Sequence, residues 1–451
     1  MSFPRYPAYK DSGVEWLGQV PEQWQVMTLR RCLLNHRQGY YTQASYVDDG
    51  VKLLRITDLG NYGEIDFAEC PKVEDSPDLK PFLLERGDFV FARTGGAGTF
   101  GLVGVLNEPI AYASYLIRFR FASSVQTAFL RNFFLSFGFQ EALKQNIHGG
   151  VNQNVHAEDI KDQSIAIPPI PEQAAIAAFL DRETAKIDAL VLEQRRLIEL
   201  LKEKRQAVIS HAVTKGLNPD APMKPSGIEW LGDVPAHWDV KPLKYLMSLT
   251  SGGTPSKENL AYWDGAVPWA SSKDLKTDEL FDTQDHITQK ALDDGAAELV
   301  PPGSILTVVR GMILLHTFPV VITRAPMAIN QDLKAILPTA GVDADFLAWL
   351  LRGGSDEVLS RTDEAGHGTK VLRMETWLAM QVPVPPSKEQ ALIVADIVKR
   401  LGELDALTAE AQRAIDLLQE RRAALISAAV TGQIDVRTAI DCAAPKLENG
   451  R

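Results

Sequence analysis

Four short polar loops carry side chains suited to reading a base edge or holding a phosphate, and each loop has a counterpart further along the chain. The first pair is Asn35–Tyr41, with Arg37, Tyr40 and Tyr41, against Ser251–Lys257, with Thr254, Ser256 and Lys257. The second is Leu54–Leu59, with Arg55, against Ala270–Leu275, with Ser271 and Lys273. The third sets Arg93 against Arg310, and the fourth sets Asn152, Gln153 and Asn154 against His367 and Lys370. Arg and Lys can donate to guanine O6 and N7, and Asn and Gln can pair with adenine N6 and N7. Ser and Thr hydroxyls suit phosphate oxygens. Any one of these residues alone reads as an ordinary solvated loop side chain. The recurrence of the whole set carries the expectation of a nucleic-acid surface.

Motifs for covalent chemistry are missing. Residues 96–101 read GAGTFG, a literal G-x-G-x-x-G. A dinucleotide site would also need a following helix and an acidic residue about 20 positions on. The next residues, LVGVLNEP, are not helical in character, so a tight glycine turn is the better reading. There is no G-x-x-x-x-G-K-[ST], no H-E-x-x-H, no G-x-S-x-G and no D/N-P-P-Y/F of an amino-methyltransferase. Cys32, Cys70 and Cys442 are far apart and form no C-x-x-C, which argues against a disulfide framework or a structural zinc and fits a reducing cytoplasm. The eight histidines are scattered. No metal site is expected.

The elements that position the loops come in two copies. SGVEWLG at 12–18 matches SGIEWLG at 226–232, and each is followed by V-P-x-x-W ending at Trp24 and Trp238. PPIPEQA at 168–174 matches PPSKEQA at 385–391, and LLKEKRQAVISHAVT at 200–214 matches LLQERRAALISAAVT at 417–431. The offsets, 214 at the front and 217 at the back, show that the intervening segments are almost equal in length. Those interiors, about 22–167 and 236–384, are much less alike. A shared scaffold with different interiors suggests two different targets held at a fixed separation.

Residues 172–214 lack Pro and Gly and are rich in good helix formers, with Pro171 before them and Gly216 after. Leu180, Ile187, Leu190, Leu197, Leu201 and Val208 follow coiled-coil spacing. The second copy, from about Lys388 to Thr431, offers Ile397, Leu404, Leu407, Leu418 and Leu425. Each is expected to be a rod of roughly 65 Å. One amphipathic rod cannot bury its stripe alone, so the two are expected to pair, antiparallel. The interiors read as strand-rich, with strands at Val51–Ile56, Asp88–Ala92, Tyr115–Phe121 and Ile305–Val309 and short helices near 127–145 and 343–352. The fold class is therefore α+β, two α/β domains separated by two long helices with pseudo-two-fold internal symmetry.

The net charge of −11 counts against a simple basic nucleic-acid footprint. Without an apolar run of about 20 residues, no membrane span is expected. The opening MSFPRYPAYKDSG has no apolar core of a secretory signal, so a cytoplasmic location is expected.

Taken in order and duplicated, these motifs resemble the specificity subunit of type I restriction-modification systems, over roughly 12–435. SGGTPS, Tyr262-Trp263 and Val267-Pro268-Trp269 of the second copy strengthen the likeness; the first copy has NHRQGYYTQ in place of GGTPS. The resemblance implies target recognition domains at 1–167 and 217–384, spacer helices at 168–216 and 385–435 and a flexible tail at 436–451. It implies a non-enzymatic chain that reads a split site on double-stranded DNA and carries two modification subunits, which restriction/translocase subunits can join. S-adenosylmethionine and ATP would belong to those partners, with no cofactor bound by this chain. A fused methyltransferase lacks its motifs here, and a pure protein–protein adaptor leaves the two polar interiors unexplained.

Overall fold

The computed structural model describes residues 3–96, 98–145, 154–365 and 368–437. Of the loop residues singled out above, Asn152, Gln153 and His367 lie outside the described residues. So do residues 438–451 of the expected tail, whereas Val436, just before them, is fully buried.

The chain forms two compact units, residues 1–195 with 413–451, and residues 196–412. The long helices span Ile170–Lys215 and Ser387–Val430, and the chain passes from one unit to the other within each of them. Each unit thus holds one interior, part of the first helix and part of the second.

The first unit has an antiparallel four-stranded sheet in the order Leu33–Gln38, Leu116–Phe121, Phe89–Ala92, Phe100–Leu102. Beside it lies a three-stranded sheet of Lys72–Val73, Val51–Leu54 and Ile110–Tyr112. Phe89, Phe91, Phe119 and Phe134 are fully buried between the large sheet and the helix Thr127–Leu135, with ring centroids 5.0 Å apart for Phe89–Phe134 and 5.1 Å for Phe91–Phe134. The second unit repeats the arrangement. Met247–Ser251, Leu333–Pro338, Ile305–Val308 and Val320–Thr323 are the first four strands of a five-stranded sheet, and the helix Ala344–Gly353 packs on it. The expected strands are present, one or two residues shorter at their ends. The expected 127–145 helix is two, Thr127–Leu135 and Phe137–Gln145.

The duplicated motifs build one joint in each unit. In the first, Trp24 is fully buried, its indole N–H donates to Glu172 at the start of the first long helix (2.9 Å), and a Cβ added to Gly432, past the end of the second, would lie 3.3 Å from its ring. In the second, Trp238 packs against Gly216, past the end of the first helix, while Glu389 at the start of the second lies 2.8 Å from the His237 imidazole. In both units, then, the start of one long helix sits beside the end of the other, which makes the pair antiparallel. Gly216 and Gly432 both take φ +75°, the left-handed position that ends a helix at low cost only for glycine. The E-Q of the motif is explained too. Buried Gln173 donates to the Pro168 carbonyl and accepts from the Gln126 N–H; Gln390 repeats both bonds with Pro385 and Asp343.

The helix seam differs from the expected one. Leu190 and Leu407 are 51% exposed, and Leu197 is 41% exposed, while Thr184, Val191, Ala411 and Ile415 are buried. The stripe runs Leu180–Thr184–Ile187–Val191 and Ile397–Leu401–Leu404, alternating steps of four and three. Counting only large aliphatic residues selected Leu190 in place of its smaller neighbours. Ile187→Ala and Leu404→Ala should each cost about 2–5 kcal/mol by leaving cavities. Leu190→Gln and Leu407→Gln should leave thermal melting of the full-length chain within about 0.5 kcal/mol of wild type.

Candidate nucleic-acid interface

In each unit the four loops meet at one end of the sheets. In the first unit the chain turns at Gly39, whose N–H donates to Leu116 O, and Tyr40 N–H donates to Tyr112 O. A Cβ on Gly39 would lie 2.1 Å from the Ala113 carbonyl oxygen, so only glycine fits. Ala113 N–H in turn donates to Leu54 O beside Arg55, Arg93 N–H to Tyr115 O, and Val155 N–H to Arg93 O. A bridge joins Thr94 to Asn154. These backbone links tie the loops at 39–41, 54–57, 93–95 and 154 into one continuous surface.

The second unit builds the same surface. A Cβ on Gly252 would lie 2.1 Å from the Ile329 carbonyl oxygen, and Gly253 N–H donates to that oxygen. Asn330 N–H donates to Ala270 O beside Ser271, and Leu372 N–H to Val309 O. Arg310-Gly311 pairs with Lys370-Val371 in a small antiparallel sheet. The NHRQGYYTQ segment therefore departs from SGGTPS in side chains but keeps the glycine that the close approach requires.

The side chains at these places fall into two groups. Arg55 is committed to structure. It clasps buried Asp58 through Nε (3.2 Å) and a terminal nitrogen (2.8 Å), and also donates to the Glu69 carbonyl. Burial opposes the charge of Asp58, but hydrogen bonds from Arg55 and the Cys70 thiol outweigh it and hold the carboxyl below its usual range. Burial, together with Asp58, pushes the Cys70 thiol up to about 12. Ser271 does the equivalent job, its N–H and hydroxyl both donating to buried Asp274. Lys273 pairs with Asp285 (2.6 Å) and Lys370 with Glu364 (3.5 Å). Thr254 donates to Gln331, and the Ser256 carbonyl accepts from the Trp263 indole.

The second group is available. Arg93, Lys257 and Arg310 make no ion pair among the described residues, and Arg310 and Lys257 are exposed. Arg37 is exposed and sits 5.7 Å over the Phe82 ring. Tyr40 and Tyr41 line a cleft of about 550 Å³ together with Tyr46, Arg55, Thr57 and Tyr115. Tyr41, Tyr46 and Tyr115 are 65%, 57% and 59% exposed. Such tyrosines offer a flat face and a hydroxyl to a base or sugar. The sequence reading placed Tyr115 at the start of a strand and did not single out Tyr46. Among the described residues, no group of three or more His, Cys, Asp or Glu could hold a metal ion.

A model of the type I restriction modification DNA specificity domain matches residues 52–202 and 235–417. The chain belongs to this family. The two matched regions run through both interiors and into both long helices. The EcoR124I/EcoR124II specificity subunit of Escherichia coli is 26% identical over 58% of this chain and 59% of its own length. The MjaIX specificity subunit of Methanocaldococcus jannaschii is 30% identical over 36% of this chain and 38% of its own. A protein of the same organism carrying the name MjaX specificity subunit is 23% identical over 94% and 96%. The chain thus spans only 59% and 38% of the first two relatives and nearly all of the third. In fold it is similar to a chain solved in work on assembly and conformational transition of the type I restriction-modification system (TM-score 0.68, 16% identity, 91% of this chain and 98% of that one). It is also similar to the HsdS subunit from Thermoanaerobacter tengcongensis (TM-score 0.51, 16% identity, covering 92% and 98%). The DNA specificity domain here is thus a duplicated α+β unit with two long antiparallel helices.

Gly39→Ala and Gly252→Ala should each lower the melting temperature of the full-length chain by several degrees. Gly104→Ala, where an added Cβ meets nothing within 4 Å, should leave it unchanged. Differential scanning calorimetry on the full-length chain checks this.

Proposed function

We propose that this chain reads a bipartite site on double-stranded DNA, one half-site per unit, and carries the subunits that act on that DNA. The observation supporting this is that each unit assembles the same four loops on the same backbone links but fills them with different side chains. The joint is shared and the surface is not, as two unlike half-sites would demand. Arg93 and Arg310 stand in corresponding loops but one position out of register, Arg93 matching Val309 and Arg310 matching Thr94; both are free of ion pairs among the described residues and suit bidentate donation to guanine or a phosphate. The cleft tyrosines add a stacking surface in the first unit.

The chain itself performs no covalent step in this reading. Two modification subunits would bind S-adenosylmethionine and methylate the DNA, and restriction/translocase subunits would supply ATP-driven steps, all in the cytoplasm. A net charge of −11 leaves much of the phosphate neutralisation to those partners, so the isolated chain should bind DNA weakly and with a shallow salt dependence. No helix among the described residues is long and apolar enough to cross a membrane.

Long-read methylation mapping after co-expression with cognate methyltransferase subunits is the test. A split motif with a fixed gap, methylated only when this chain is present, is expected. Arg93→Ala should relax or lose one half-site and Arg310→Ala the other, each base contact being worth about 1–3 kcal/mol. An unsplit motif, or both variants altering the same half-site, would contradict the reading. S-adenosylmethionine-dependent methyl transfer by the chain alone would revive an enzymatic one.

A further inference from the structure

One interaction recurs in both units at positions that the repeat makes equivalent. In the first unit, Arg422 of the second long helix donates to Asp188 of the first, Nε to Oδ1 at 2.9 Å. In the second unit, Arg205 of the first long helix donates to Asp405 of the second at 2.6 Å. Arg205 and Arg422 are 217 positions apart, as are Asp188 and Asp405, which is the helix offset of the repeat. Coiled-coil pairing alone accounts for a cross-helix ion pair. It does not account for what each arginine does with its other face.

Each arginine also grips the reader at one equivalent position. The Arg422 guanidinium lies over the Tyr62 ring, 3.7 Å from its centre. Arg205 donates through its second terminal nitrogen to Asp278 at 3.0 Å. Tyr62 and Asp278 each stand four residues after the buried aspartate, Asp58 or Asp274, that fixes the second reading loop. The grip is therefore on the loop whose other end carries Arg55 or Ser271. A different chemistry at the same place, a π face in one unit and a carboxylate in the other, preserves the contact while the reader sequences diverge.

The seam between reader and helices is open around each arginine. Arg422 and Tyr62 line a cavity of about 380 Å³ with Gly98, Phe100, Gln140 and Gln419, and Arg205 and Asp278 line one of about 290 Å³ with Trp349 and Arg352. Other contacts share the seam: Gln206 of the first helix donates to the Arg352 carbonyl (3.1 Å), and Arg131 donates to the Tyr62 carbonyl (3.0 Å) while pairing with Asp181 of the first helix (3.6 Å). Arg422 itself is only 7% exposed, a costly place for a charge unless both partners hold it.

Resting on the bipartite reading, we propose that Arg205 and Arg422 are positioning residues that lock the second reading loop of each unit to the helix pair, and so make the gap between half-sites strict. Each joins three elements at once: the two helices through an aspartate, and the reader through Tyr62 or Asp278. Neither touches the surface formed by Arg93, Arg310 and the cleft tyrosines, so half-site sequence should not depend on them.

Two measurements test this. Hydrogen exchange on the full-length chain, without DNA, should show faster exchange at residues 59–65 in Arg422→Ala and in Tyr62→Ala, with Tyr62→Phe unchanged. Arg205→Ala and Asp278→Ala should do the same at residues 275–280. Methylation by the assembled complex on a library with varied gaps should then show unchanged half-sites in these variants but loss of gap discrimination, with sites one base pair longer or shorter becoming substrates. Exchange that stays at wild-type rates overturns the clamp, whatever the methylation result. Faster exchange with a gap as strict as wild type overturns its role in spacing. If wild-type complex shows no bipartite methylation at all, the underlying reading fails, and the exchange data still decide whether the clamp exists.

Discussion

Everything in this molecule depends on two long helices that cannot bury their apolar stripes alone. Each copy of the repeat contributes one, and the chain solves the problem by running them antiparallel. The start of each helix then lies beside the end of the other. Trp24 and Trp238 occupy those two junctions, touching the glycine that ends one helix while the start of the other is held by Glu172 or Glu389. Buried Gln173 and Gln390 fasten the helix starts to the readers. The compact units consequently do not follow the order of the repeat, since each borrows a part of both helices.

That arrangement separates two demands on the sequence. The joint must fit one geometry, so its residues are the ones shared between copies: V-P-x-x-W, E-Q-A and the A-V-T that precedes each glycine. The loop surface must differ between copies, and it does so on a fixed backbone frame. Gly39 and Gly252 illustrate the boundary between the two. Their neighbours share almost nothing, yet both sit where a carbonyl oxygen 2.1 Å from any Cβ would exclude every other residue.

Much of this was legible in the sequence, because periodicity and duplication are local signals. The helices, the main strands and the correspondence of the loops all follow from them. Burial partners are not local, and there the reading fell short. Leu190 and Leu407 look like seam residues but face outward, because Val191, Ala411 and Ile415 complete the stripe. Arg55 looks like a free base-reading arginine, yet a buried aspartate three residues on captures it. Tyr115 reads as the first residue of a strand, yet it stands open on the cleft beside Tyr46. The ion pairs of Arg205 and Arg422 join residues some 200 positions apart, and no spacing rule reaches that far.

The central claim is that the helix pair sets the distance between two independent readers. It is tested most directly by inserting four residues, about one helical turn and 6 Å, into both long helices between the units. The inserted complex would be mapped against the wild type for the sites it methylates. The account predicts the same two half-sites with a changed gap. Altered half-site bases, or an unchanged gap in a folded complex, would contradict it.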